Sequence, residues 1–550
     1  MAYVITQPCC NDASCVAVCP VNCIHPAPGE TGFGAAEMLY IDPRTCIDCG
    51  ACTDACPVDA IVPADTLTGP DTVYAQRSAQ FYEGRSTEPA WGAPEIPPTL
   101  PWGTTPPRVA VVGTGPAACY TAQELLRTTG TEVTMVDRFP MPGGLIRYGV
   151  APDHLRTKQI GDSFAALFRH PRLRMYLDVE VGRHLTHAEL TAHHDAVVYA
   201  VGAGEARPLG IPGEELPGSI TASRFVAWYN GNPEVPADAV DPTRSRRAVV
   251  IGNGNVALDA ARILASPPDG LARTDIADHA MDALRAADIR EVVVIGRRGP
   301  ADAAYTWPEL HALNQLPGVR LVVEDHPDVR TAIAADDAQA TLLRDIPIQP
   351  VDLAGPPPSA GQERRIVLRF LTSPTELVGT DRVQAVRVTR GDEAADIEAG
   401  LVISAIGYRG VPVADLPFDD ATGTVPNDAG RVVDPLTGEP VPGTYVAGWI
   451  KRGPTGGIGA NRQCAQQTVG ALVRDAAEAR LATPTRTAND FERLVRQRRP
   501  QALDRRAADT IDRAERRRGE QSGRPRVKFT TWHDLMEAGR SSPFRTRRTG

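Results

Sequence analysis

At 550 residues, with 42% hydrophobic and 23% charged side chains, the chain is too long for one core and reads as about three or four domains. No run of about 18 apolar residues occurs, which argues against a membrane-spanning helix, and the start MAYVITQPCC has neither a charged n-region nor an apolar h-region, which points to the cytoplasm. The net charge of −9 conceals a polarity: residues 1–65 carry eight acids against one base, and residues 481–550 eighteen bases against nine acids.

Nine of the eleven cysteines lie within the first 56 residues. In a reducing compartment such clustering indicates metal or cluster ligation rather than disulfides. The run CIDCGACTDACP places Cys46, Cys49, Cys52 and Cys56 before Pro57. This is the C-x2-C-x2-C-x3-C-P spacing of ferredoxins, in which the fourth cysteine ligates the other cluster. Zinc ribbons use paired C-x2-C knuckles without a trailing Cys-Pro. CVAVCPVN repeats CTDACPVD, so Cys15 and Cys19 correspond to Cys52 and Cys56. Asp12 then stands where Cys49 would, and Cys9 corresponds to Cys46, with Cys10 beside it.

The crossover rule assigns Cys19, Cys46, Cys49 and Cys52 to a [4Fe–4S] cluster. Cys15, Cys56 and one of Cys9 or Cys10 would hold the second. Three ligands suit [3Fe–4S]; participation of both Cys9 and Cys10 would make it [4Fe–4S]. Cys23 reads as a small buried hydrophobe outside the ligand set. Residues 1–65 are therefore expected to form a small α+β dicluster ferredoxin domain. Residues 66–107, ending in GAPEIPPTLPWGTTPP, read as a Pro-rich linker.

The next segment, RVAVVGTGPAACYTAQELL, is a buried strand running into Gly113-x-Gly115-x-x-Ala118 and an amphipathic helix. The first glycine permits a tight turn, the second lets a pyrophosphate approach the backbone, and the small third residue allows close helix–strand packing. EVTMVDR then supplies a second strand ending in Asp137, placed for a ribose 2′-hydroxyl. A second copy, RRAVVIGNGNVALDAARIL, carries Gly252, Gly254 and Ala257. Its next strand, REVVVIGRRGP, ends in Arg297 and Arg298 rather than an acid, which suits a 2′-phosphate and favours NADPH over NADH. One acidic and one basic ribose site imply FAD plus NADP.

DAVVYAVGAG and GLVISAIGYRG each read as an apolar strand entering a glycine turn, so the chain leaves the first nucleotide domain, builds the second and returns. The expectation is an α/β architecture of two nested Rossmann-like domains preceded by the ferredoxin domain. Residues 108–210 and 399–480 would bind FAD, with Gly456, Gly457 and Ile458 at a helix start, and residues 211–398 would bind NADP. Residues 481–550 form an Arg-rich extension whose RAERRRGEQ pattern marks a solvated helix, and no helix-turn-helix or zinc-finger spacing suggests nucleic acid. Cys119 and Cys464 are single, so no redox disulfide is expected.

FPMPGGLIRYGVAPDH, IGNGNVALDAARIL, GRRGPADAAYTWPEL and GWIKRGPTGGIG resemble adrenodoxin reductase and the bacterial NADPH–ferredoxin reductases. With the cysteine-rich head, the whole chain resembles actinobacterial fusions of a seven-iron-type ferredoxin to such a reductase. The resemblance implies FAD contacts at Ala117, Asp137, Leu145, Val181, Trp449 and Gly456 to Ile458. It implies NADP contacts at Arg207, Asn253, Gly254, Asn255, Val256, Arg297, Arg298 and Glu309. It also places His154 and Glu309 near the reacting rings. The implied activity is ferredoxin–NADP reduction: electrons pass from NADPH through FAD to the head's own clusters, to a separate ferredoxin, or to both. The alternatives are an electron-donor module like the small chain of glutamate synthase, or a non-enzymatic redox sensor. The acidic head is expected to dock on basic surface near the flavin; the tail either joins that surface or wraps the reductase. Oligomeric state and final acceptor stay open.

Overall fold

The computed structural model describes residues 2–540 apart from 31, 36, 86–98, 336 and 360. In the head, Tyr3–Ile5 pairs antiparallel with Ile61–Pro63, and Ile24–His25 with Tyr40–Ile41. The cysteine repeat becomes a structural repeat. Helices Ser14–Val18 and Ala51–Ala55 each start after a left-handed residue, Ala13 and Gly50, and end at an extended cysteine, Cys19 and Cys56. The proline after each cysteine enforces that ending, because it disfavours helical backbone in the residue before it.

The expected linker from residue 66 is partly folded onto the head. Helix Val73–Phe81 follows a short 3₁₀ turn at Gly69–Thr72. Ser78 Oγ donates to the Ile41 carbonyl at 2.8 Å and accepts from the Ile41 N–H at 3.2 Å. The Tyr82 hydroxyl donates to the Tyr40 carbonyl at 2.8 Å, with the Cys23 carbonyl at 3.1 Å. Tyr74, Ser78 and Tyr82, spaced four apart, present one face to the head, a pattern outweighed in the sequence by the surrounding prolines. Much of the proline-rich stretch, residues 86–98, lies outside the described residues.

In the first seven-stranded sheet, Arg108–Val112 is the middle of the five parallel strands. Glu132–Asp137 and then Leu173–Leu177 lie parallel on one side, and Ala196–Tyr199 and Pro440–Val446 on the other. Arg431–Val433 and Asn427–Asp428 add an antiparallel edge. The second sheet holds seven parallel strands in the order Ser219–Thr221, Leu401–Ser404, Arg247–Ile251, Glu291–Ile295, Arg364–Arg369, Val319–Glu324, Ile348–Gln349. The strand Leu401–Ser404 therefore belongs to the second sheet and not to the returning FAD segment expected from residue 399. Its four residues are buried and pair on both sides, with Ser219–Thr221 and Arg247–Ile251. An apolar strand of this kind satisfies either parallel sheet, so its pattern could not choose. The chain crosses between the halves at one antiparallel pair, Glu205–Ala206 with Tyr408–Arg409.

The C-terminal segment is an integral part of the two-sheet body. Helices Ala488–Arg498, Arg505–Gln521 and Trp532–Arg540 pack on it, and Leu503 exchanges backbone hydrogen bonds of 2.8 and 3.0 Å with Leu177. Fully buried Glu515 accepts from Arg147 at 2.6 and 3.0 Å, from Arg526 at 3.2 Å and from the Phe529 N–H at 2.9 Å. Buried Lys528 reaches Asp275 at 2.8 Å and Asn230 at 3.1 Å, while Lys158 reaches the same two groups at 2.6 and 2.9 Å. The tail thus ties Arg147 and Lys158 of the first nucleotide segment to Asn230 and Asp275 of the second. Further arginines of the tail meet acids of the two-sheet body, such as Arg516 with Asp162 and Arg524 with Asp278. The wrapping arrangement holds; the head is received instead by Arg462, which donates to the Asp12 carbonyl at 3.0 Å and to Ser14 Oγ at 2.8 Å.

Replacing Glu515 by Gln leaves the buried Arg147 charge uncompensated. The expected cost is about 3 kcal/mol, read as an earlier thermal unfolding midpoint. A midpoint equal to the parent's would show that the tail does not hold the two halves together.

Candidate functional site

Gly113 ends the strand Arg108–Val112 with φ of +111°, and a Cβ there would lie 2.5 Å from the Ala200 carbonyl oxygen. Only glycine accommodates that backbone and that approach. Gly115 opens helix Pro116–Arg127, putting Ala117 and Ala118 in its first turn. The free N–H groups and positive end of that helix form an anion cradle. Asp137, the last residue of its strand, is buried: its carboxylate accepts from the Thr114 hydroxyl at 2.6 Å and the Phe139 N–H at 2.8 Å. Burial pushes its pKa above the usual carboxylate range. The acid therefore stands at the expected strand end, braced by its own glycine loop. Leu145 begins the short helix Leu145–Tyr148 beside Gly144, and Val181 bridges to Leu185.

Trp449 Nε1 donates to the Thr455 and Gly456 carbonyls at 3.1 and 3.3 Å, which fixes the loop carrying Gly456, Gly457 and Ile458. Arg452, which the glycine-centred reading of GWIKRGPTGGIG passed over, lies in the same loop. One of its guanidinium nitrogens is buried without a hydrogen-bond partner, and burial lowers its pKa. The glycine turns at positions where a side chain would clash, together with this uncompensated cation, fit an anionic dinucleotide cofactor.

The second glycine turn repeats the first. Gly252 has φ of +121°, and a Cβ on it would collide with the Ala405 carbonyl. Gly254 opens helix Asn255–Ala265, which carries Val256. The Asn255 side chain accepts from the Thr306 N–H at 2.8 Å, and Asn253 lies against Gly296. Arg297 and Arg298 are exposed just beyond Glu291–Ile295, with Arg298 held by Asp302 at 3.0 Å. Arg207 follows the crossover strand, its N–H bonded to the Gly407 carbonyl at 3.1 Å.

His154 and Glu309 come together from the two halves, with Nε2 3.7 Å from Oε2. Arg262 joins them: it approaches Glu309 at 3.4 Å, Asp153 at 2.7 Å and Asp259 at 2.7 Å. Burial pushes the Glu309 pKa up. Burial acts the same way on Asp153, but the Arg262 charge overrides it and brings that carboxyl down to about 2. A residue that sequence reasoning did not single out enters from the head: Gln7 Nε2 donates to Glu309 Oε1 at 3.1 Å and lies 3.3 Å from His154 Nε2.

The cysteines separate into two sets. Cys19, Cys46, Cys49 and Cys52 line one small cavity together with Tyr3, Cys23 and Ile47. Cys9, Cys10, Cys15 and Cys56 surround Asp12 closely enough to feel one another's charge. Burial raises the Cys9 and Cys52 thiols to about 11. The second set abuts the reductase. The Gly459 N–H donates to the Cys10 carbonyl at 2.9 Å, and a Cβ on Gly459 would overlap the backbone of Asn11 and Asp12. Four residues short of Gly459, Thr455 is already in the loop that Trp449 holds.

Residues 39–62 match the 4Fe–4S binding domain family, and residues 107–290 the pyridine nucleotide-disulphide oxidoreductase family. The chain is 49% identical to the probable ferredoxin/ferredoxin–NADP reductase of Mycobacterium tuberculosis, over 99% of its own length and 96% of the relative's. The chain belongs to the ferredoxin/ferredoxin–NADP reductase family. It is 42% identical to the NADPH-ferredoxin reductase FprA of M. tuberculosis over 78% of this chain and 98% of FprA. The solved structure of FprA in complex with NADPH superposes with a TM-score of 0.71, covering 79% of this chain and 99% of that one at 41% identity. As a ferredoxin/ferredoxin–NADP reductase, the protein is an NADPH-dependent flavoprotein oxidoreductase with a 4Fe–4S-binding head. Among the described residues no helix is long and apolar enough to cross a membrane.

The two glycine turns make one direct test. Gly113→Ala should purify with little flavin absorbance while the head keeps its iron, because the clash falls on the first nucleotide turn alone.

Proposed function

We propose that the protein transfers electrons from NADPH, by way of FAD, into iron–sulfur clusters of its own head and onward to a separate ferredoxin or another acceptor in the cytoplasm. FAD, once bound, supplies the conversion of a two-electron hydride into single electrons. The chain's residues do the placing. The Gly113 turn and the Trp449–Ile458 loop hold the flavin, the Gly252 turn and the Arg297–Arg298 pair hold NADP, and His154 and Glu309 orient the reacting rings. The carrying observation is the backbone bond from Gly459 to Cys10, which seats the Cys9/Cys15/Cys56 set beside the flavin loop. The Cys19/Cys46/Cys49/Cys52 set lies outward, where Cys49 and Ile47 are exposed.

For the inner set we assign Cys9, Cys15 and Cys56, with a [3Fe–4S] cluster. Cys10, like Cys15, lies near Cys9 and Cys56, but it also faces Tyr120 of the first nucleotide helix and its carbonyl accepts from the Gly459 N–H. Asp12, at the position of a missing middle ligand, is engaged by Ser14 and Arg462. This supports a three-thiol set.

Cys10→Ala should therefore keep the parent's iron content and cluster EPR signals, and Cys9→Ala should lose those of the second cluster; the reverse pattern would overturn the assignment. Replacing Arg297 and Arg298 together by Ala should raise KM for NADPH about tenfold or more while leaving NADH unaffected. The whole reading is tested by NADPH-driven cytochrome c reduction without added ferredoxin. It fails if the flavin is reduced while the head stays oxidised.

A further inference from the structure

The head does more than lie near the flavin loop. It grips the helix Trp307–Asn314 that carries Glu309. Glu37 accepts from the Trp307 N–H at 2.8 Å, Tyr74 packs edge-on against Trp307 and His311, and Arg77 stacks over Trp307 at 4.8 Å. On the opposite side of the seam, the Thr157 hydroxyl lies 3.4 Å from the Pro8 carbonyl. Gln7 sits between these grips. Its neighbour Thr6 is pinned by its N–H and hydroxyl to the Ala60 carbonyl at 2.8 and 2.9 Å, and the Cys9 N–H returns to the Thr6 carbonyl at 3.1 Å. The Gln7 side chain is therefore held by a braced turn.

A primary amide suits this position. It has two N–H donors, one for the Glu309 carboxylate and one for the imidazole. A glutamate in its place would bring a second negative charge to Glu309, and an apolar side chain would leave the buried carboxylate oxygen short of a donor. FprA matches this chain over 98% of its own length with 78% of this one, which leaves it no length for such a head.

We propose that Gln7 is a positioning residue of the hydride-transfer site, contributed by the ferredoxin head. Its amide fixes His154 and Glu309 relative to each other across the seam between the nucleotide-binding halves, so that NADPH reduces the flavin at full rate only when the head is seated. The inference rests on the reading of His154 and Glu309 as the pair that orients the reacting rings.

The test is single-turnover reduction of the flavin by NADPH in the full-length protein, for the parent, Gln7→Met, Gln7→Glu and His154→Gln. Met and Glu preserve the length of the side chain and remove its donors. Both should lower the limiting rate of flavin reduction about tenfold, with the apparent NADPH Kd within about twofold and head reduction unchanged once the flavin is reduced. If either Gln7 variant that retains flavin and iron matches the parent's limiting rate while His154→Gln is slow, the proposal fails and the reading of the pair stands. If His154→Gln is also as fast as the parent, that reading fails with it. Slowing confined to reduction of the head would make Gln7 a docking contact and overturn the proposal.

Discussion

The arrangement depends on one backbone-to-backbone approach, Gly459 against Cys10, Asn11 and Asp12. A single methyl group at Gly459 would separate the head from the loop that Trp449 holds, because backbone has nowhere to retreat. Electron transfer between cofactors needs closeness rather than specific chemistry. The residue governing that closeness is accordingly one with no side chain. The cysteine-bearing segment can approach because Asn11 and Ala13 take left-handed conformations, tightening the turn that precedes Cys15.

Much of the site was legible because its chemistry dictates spacing. Three cysteines at C-x2-C-x2-C spacing and a fourth directly before a proline give a repeat that survives as two short helices. Nucleotide phosphates need glycines at fixed offsets, so Gly113 and Gly252 could be placed before any fold was known. The resemblance of VAPDH and WPEL to known reductases brought His154 and Glu309 forward, and the fold places them 3.7 Å apart from 155 positions of chain separation.

What the sequence hid was long-range. Leu401–Ser404 satisfies either sheet, and only its neighbours decide. Helix Val73–Phe81 is anchored by tyrosines and a serine that have meaning only against Ile41, Tyr40 and Trp307. Gln7 and Arg452 carry no spacing signature, since each acts through partners distant in the chain or through lacking one. The Arg-rich tail looked solvated because its arginines alternate with acids, yet the helix spends its Glu515 inward on Arg147. Charge composition alone cannot tell a solvated face from one that grips a partner.

The seated head also has a steric consequence. Residues 7–12 cover the approach to Gly459, and residues 37, 74 and 77 cover the helix at Trp307. While the head is in place, no free carrier protein can occupy that ground, and chain connectivity gives the head an advantage no diffusing competitor shares. The exposed edge around Cys49 and Ile47, on the far side, stays uncovered by these contacts. On the proposed electron path the head would then act as a fixed adaptor, its inner face committed to the seam and its outer edge free to differ.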